Sequence, residues 1–231
     1  MKYMDDSWSE KHKELGKLVR KKDGWMQARD LFLELHGKLH RSTVANDRSN
    51  YIDPLLQDLS REEYAIMPTS KDDTIAWCIW HMARIEDLTM SILVGGKDQV
   101  FDQRFVSEIH GTITDTGNAL TDEEILLLSK TMDIDALLAY RDAVGRETRA
   151  IIASLKPEDL KKKPTPERLQ SILAQGGVTR HPDSIWLLDF WAKKTYAGLL
   201  LMPPTRHELL HINACYKMKE AIHNKKRYFL S

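Results

Sequence analysis

The sequence predicts an all-α fold, a helical bundle with one extra helix, and three observations lead there. Apolar residues recur at intervals of three and four over long stretches, the helical period. No stretch keeps the strict alternation of a half-buried strand. Capping residues and prolines fall at the ends of the periodic stretches rather than inside them. With 231 residues, 42% of them hydrophobic, the chain suffices for one full core.

Residues 1–23 read as a charged N-terminal arm, a solvated helix or a loose segment, because Glu10-Lys11-His12-Lys13-Glu14 and Arg20-Lys21-Lys22 follow closely on one another. The bundle domain is expected over 24–231. Its first long helix opens after Asp23 and carries Trp25, Ala28, Leu31, Phe32, Leu35 and Leu39 on one face. His36 and His40 sit four apart on this helix beside Lys38 and Arg41, and a solvated face is the expectation for them.

Asn46 to Ser70 is a polar connector broken by Pro54 and Pro68, with a helical turn or two around Leu55, Leu56 and Leu59. A second long helix follows, capped by Asp72 or Asp73 and marked by Ile75, Ile79, Met82, Ile85, Leu88 and Ile92 until Gly95-Gly96 ends it. Lys97 to Ala119 keeps no period and reads as a crossing loop. Thr121-Asp122-Glu123-Glu124 matches a capping box, so a short helix starts there. Asp133 or Asp135 opens the next long helix, through Leu137, Val144, Thr148 and Ile152 to Leu155.

The segment 156–182 holds Pro157, Pro164, Pro166, Pro182, Gly176 and Gly177 and reads as an insertion with one short helix from Pro166 to Ala174. Ile185 to Leu200 then forms a strongly hydrophobic helix, and Pro203-Pro204 stops it. Thr205 starts the last helix, which carries Leu209, Ile212, Cys215, Met218 and Ile222, with Lys217, Lys219, Lys225, Lys226 and Arg227 toward its C-terminus, where the dipole favours cations.

Charge excludes some functions. Basic and acidic residues number 34 each, so no global field draws nucleic acid or an anionic membrane, and neither partner is expected. The start of the chain has no apolar signal core and no apolar run reaches membrane-spanning length, which gives the expectation of a cytoplasmic protein. Cys78 and Cys215 are expected to be reduced and to pack as small buried hydrophobes.

Chemistry gathers at His207-Glu208-Leu209-Leu210-His211. Four residues advance a helix by about 400° and roughly 6 Å, so both imidazoles leave one face and can hold one metal ion. The string also matches the zinc-protease pattern, in which the glutamate activates water. Thr205-Arg206-His207-Glu208 is itself a capping box, however, and that reading of Glu208 is preferred. A third ligand would come from His81, which lies among Trp77, Cys78 and Ile85. Glu86 and Asp87 are candidates to orient a histidine, and Trp77, Trp80, Trp186 and Trp191 are expected to fill the bundle.

Trp80-His81-Met82-Ala83-Arg84-Ile85-Glu86-Asp87 followed far downstream by His207-x-x-x-His211 resembles the DinB/YfiT-like superfamily of four-helix-bundle metalloenzymes, over roughly Trp25 to Lys225. The resemblance implies a three-histidine site formed by His81, His207 and His211, open to water and occupied by zinc or nickel. It further implies a small-molecule substrate, a low-molecular-weight thiol in thiol-dependent transferases of the family, and a homodimer. One departure stands out: many members continue the last histidine as His-Arg-Gly-Gln, whereas His211 here precedes Ile212, Asn213 and Ala214. The expected function is a metal-dependent transferase or hydrolase. The rival is a non-catalytic bundle that binds a protein partner through a helix face or the segment 156–182.

Overall fold

Thr74 opens the most deeply buried helix of the protein. In the computed structural model, which describes residues 6–224, the Thr74 hydroxyl accepts the Trp77 N–H at 3.0 Å. Thr74 is the cap in place of Asp72 or Asp73. It is fully buried with its hydroxyl against Ser129 Oγ at 2.6 Å, a position where an aspartate would bury a charge. Every residue of the helix it starts, α5 (Ile75–Asp87), is buried. The helix continues into a π-helical stretch, Leu88–Gly95, and stops where Gly96 takes φ +65°.

Around α5 pack α8 (Ile134–Ser154), capped by Asp133, and α12 (Glu208–His223). Helix α2 (Trp25–Lys38) joins them against α8. The connector folds as α3 (Ser42–Ala45), α4 (Ile52–Leu56) and a 3-10 turn at Glu62–Ala65. Lys219 of α12 donates to the carbonyls of Pro54 at 3.2 Å and Leu55 at 2.9 Å, so its charge serves the end of α4. The other expected C-terminal cations, Lys225, Lys226 and Arg227, lie outside the described residues.

Four expectations need correcting. The charged arm contains α1 (Asp6–Leu18), which packs on α2 with Trp8 and Leu15 buried and the Trp8 indole donating to Leu35 O at 3.2 Å. The crossing loop holds α6 (Gln103–Ile109), seven residues capped by Asp102 and too short to display a period. The hydrophobic run Ile185 to Leu200 divides into α10 (Pro182–Ala192) and α11 (Tyr196–Leu200), because the Thr195 side chain accepts the Gly198 N–H and restarts the chain as a new helix. The last helix has its α-helical start at Glu208, after a π turn over Pro203–His207.

Two short helices appear where they were expected. Helix α7 (Asp122–Thr131) carries the Thr121–Glu124 capping box, and α9 (Pro166–Ala174) follows its Thr165 cap. Among the described residues there is no strand, and no helix is long and apolar enough to cross a membrane. The chain is all-α.

Candidate metal centre

The loop after α6 determines how α5 presents His81. Three consecutive carbonyls receive three ring N–H groups from that helix: Asp115 O from Trp80 Nε1 at 2.9 Å, Thr116 O from His81 Nδ1 at 2.8 Å and Gly117 O from Trp77 Nε1 at 3.2 Å. A carbonyl only accepts, so the His81 proton resides on Nδ1 and the neutral ring keeps its lone pair on Nε2. Gly117 makes the close approach possible. It takes φ +75°, and a Cβ there would sit 2.8 Å from the Trp77 indole nitrogen. Trp77 stacks on His81 with ring centroids 4.7 Å apart and planes within 6°.

The π turn brings the second pair of rings to this lone pair. Thr205 donates its hydroxyl to Leu200 O at 2.9 Å, and the His207 N–H reaches back to Met202 O at 2.9 Å. With the Thr205 hydroxyl turned to the preceding helix, the expected capping box with Glu208 does not form. His207 Nε2 faces His81 Nε2 at 3.1 Å. Ring centroids of His211 lie 4.9 Å from His81 and 4.6 Å from His207, and one ligand nitrogen from each of the three falls within 4.8 Å of the others.

Electrostatics keep these rings as donors. Burial, partly offset by the Thr116 carbonyl, lowers the His81 pKa to about 4. Burial and then the neighbouring His81 lower His211 to about 3. His207 is held well below the ordinary imidazole value by burial, then by His81 and His211. All three are therefore neutral near pH 7, the form a metal requires. His207 Nε2 lies 3.1 Å from the His81 Nε2 lone pair while its buried Nδ1 has no partner, so in the Nδ1-protonated tautomer both Nε2 lone pairs face one point, where a cation would take both. The donor set fits zinc or nickel.

Neighbouring groups that the sequence brought under consideration lie elsewhere. Glu208 is engaged with another helix: it is fully buried and its Oε2 accepts from Arg141 at 2.5 Å. Neither the cap nor the water-activating protease role fits that placement. Asp87 binds Tyr140 Oη at 2.8 Å and the Val100 and Phe101 amides at 2.8 and 3.0 Å, so it orders the chain after the π stretch rather than a histidine. Cys78 and Cys215 are buried free thiols hydrogen-bonded to each other, and that contact with burial pushes the Cys78 thiol well up, away from a reactive thiolate.

Glu86 supplies the largest surprise. It accepts from His36 Nε2 at 2.8 Å and His40 Nε2 at 3.1 Å, with all three side chains at 0% exposure. His36 and His40 are thus interior residues and not a solvated face. The sequence signal for them was their four-residue spacing on the face that also carries Phe32.

A cavity of about 310 Å³ opens beside His81 and His207. Its walls include Ile85, Trp186, Leu187, Phe190, Trp191 and Met202, and Asn118 adds an amide. Trp80 and Trp191 are buried, as expected of bundle filling, whereas Trp186 is 48% exposed at the rim of this cavity.

The sequence profile of the DinB superfamily matches residues 47–213. The chain belongs to the DinB superfamily. The DinB match takes in His81, His207 and His211 and leaves His36 and His40 outside. No curated protein matches the chain.

Proposed function

We propose that this DinB protein is a metal-dependent enzyme whose divalent ion is held by His81, His207 and His211 and whose substrate is a small, largely apolar molecule. The carrying observation is the commitment of His81 Nδ1 to Thr116 O, which leaves Nε2 facing His207 Nε2 at 3.1 Å. Zinc or nickel bound there would act as a Lewis acid and lower the pKa of a bound water or thiol.

The chain's own residues supply the rest. Trp77 and the carbonyls of 115–117 hold the His81 ring in one tautomer and orientation. Trp186, Phe190 and Trp191 provide the apolar walls that exclude water from a substrate, and Asn118 is the polar group placed to orient it. Three protein ligands leave positions free for substrate, which fits catalysis better than a closed structural site. A transferase using a low-molecular-weight thiol as nucleophile, or a hydrolase, suits such an arrangement. The thiol would be a co-substrate from outside, since Cys78 and Cys215 are engaged with each other.

Metal analysis and turnover test the proposal together. Purified protein should bind one divalent ion at this site, lost in His81→Ala, and should conjugate a small thiol to an apolar electrophile in a reaction abolished by His211→Ala. Conjugation that survives His211→Ala would remove the metal from the mechanism, and metal content unchanged by His81→Ala would remove the site.

A further inference from the structure

We propose that His36, His40 and Glu86 form a second, enclosed metal site that takes a first-row divalent cation and fastens α2 to α5. The two imidazoles come from successive turns of α2 and the carboxylate from α5, and all three are at 0% exposure. Both Nε2 atoms turn to one carboxylate, with Oε1 2.8 Å from His36 and Oε2 3.1 Å from His40. The spacing resembles the 3.1 Å between the confronted nitrogens of His81 and His207. Two imidazole nitrogens and a carboxylate are a donor set for zinc and its first-row neighbours.

Charge gives the physical reason. Both oxygens of the fully buried Glu86 carboxylate are turned to imidazole nitrogens. No guanidinium or ammonium hydrogen-bonds it among the described residues: Arg141 is spent on Glu208 at 2.5 Å and on Leu39 O at 2.7 Å. An isolated buried charge is costly, and a divalent cation compensates this one.

The surroundings are built for the rings. His36 stacks on His40 at 4.2 Å between centroids and on Phe32 at 5.5 Å. A Cβ on Gly145 of α8 would fall 2.6 Å from His40 Nδ1, so this glycine makes room for the imidazole. Glu86 is five residues from His81 on α5, about 7.5 Å along the axis. That exceeds the roughly 4 Å of a shared two-metal centre, so the two sites are separate. Enclosure makes the second site structural, in contrast to the three-histidine site with its adjoining cavity.

Zinc alone is the probe, with the full chain reconstituted, desalted and analysed for bound metal, and with His81→Ala and Glu86→Gln in parallel. Two equivalents in wild type, falling to one in each variant, is the expected result. One equivalent retained in His81→Ala and lost in Glu86→Gln would uphold this site while removing the three-histidine reading. One equivalent lost in His81→Ala and retained in Glu86→Gln overturns the proposal, as does an absence of bound zinc. If Glu86→Gln does not fold, wild-type crystals at the zinc edge decide: an anomalous peak within coordination distance of His36 and His40 Nε2 supports the site, and none in zinc-loaded crystals overturns it.

Discussion

A neutral imidazole has one proton to place, and at His81 the Thr116 carbonyl places it. That makes Gly117 a positioning residue for the proposed ligand His81, acting through the loop carbonyls and Trp77. Gly117→Ala would require a φ near +75° of an alanine and press its Cβ toward Trp77. We expect a loss of about 1–2 kcal/mol of stability and metal binding weakened by roughly 10–100-fold, as for other supporting groups of metal ligands. Isothermal titration with zinc on the folded variant checks this, and wild-type affinity would show that the loop does not support His81. Glu208 offers a second test at this scale. As a helix cap its loss would cost about 1 kcal/mol. As the buried partner of Arg141, Glu208→Ala strands a guanidinium and should cost about 3–5 kcal/mol in urea unfolding. The His81, His207 and His211 set was legible because its spacing is local on α12 and its third member lies in an apolar run. The true partners of Glu86 and Glu208 were not, because they lie 46 to 67 residues away along the chain and no local pattern reports them.

Elements were legible in proportion to their length and amphipathicity. Helices α2, α5 and α8 display their period over several turns, and the Thr121 capping box marks α7 directly. Helix α1 was obscured because a few large residues carry its buried side amid many charges. Trp8 is 3% exposed against α2, so Trp8→Ala should cost about 3–5 kcal/mol. A solvated arm would lose no more than about 0.5 kcal/mol, and equilibrium urea unfolding separates the two. Helix α5 was read with a single apolar face, yet all of its faces are buried. Its polar residues Arg84, Glu86 and Asp87 look like surface residues in sequence and are interior ones held by partners from other elements. The break between α10 and α11 was hidden for a related reason, since the apolar run continues on both sides of Lys193-Lys194-Thr195.

Across the whole molecule, buried neutral histidines couple folding to pH. His40, His81, His207 and His211 have lowered values in the folded protein. Between about pH 6.5 and 4.5 the unfolded chain therefore binds protons at these positions that the folded chain refuses. The stability these rings contribute is present above pH 6.5 and falls as the medium is acidified through this window. Glu208 works in the opposite sense, since burial, partly offset by Arg141, raises its carboxyl above the ordinary value. Four histidines outweigh one carboxyl, and metal-free protein should lose urea stability steadily from pH 6.5 to 4.5. A flat profile would contradict the burial of these rings as neutral groups. Bound metal should deepen the dependence, because protons then compete for its ligands. The central claim is that the bundle gathers His81, His207 and His211 around one ion. An anomalous difference map from zinc- or nickel-loaded crystals tests it most directly. The account predicts a peak about 2 Å from a nitrogen of each of the three rings, and a map with no peak between them would contradict it.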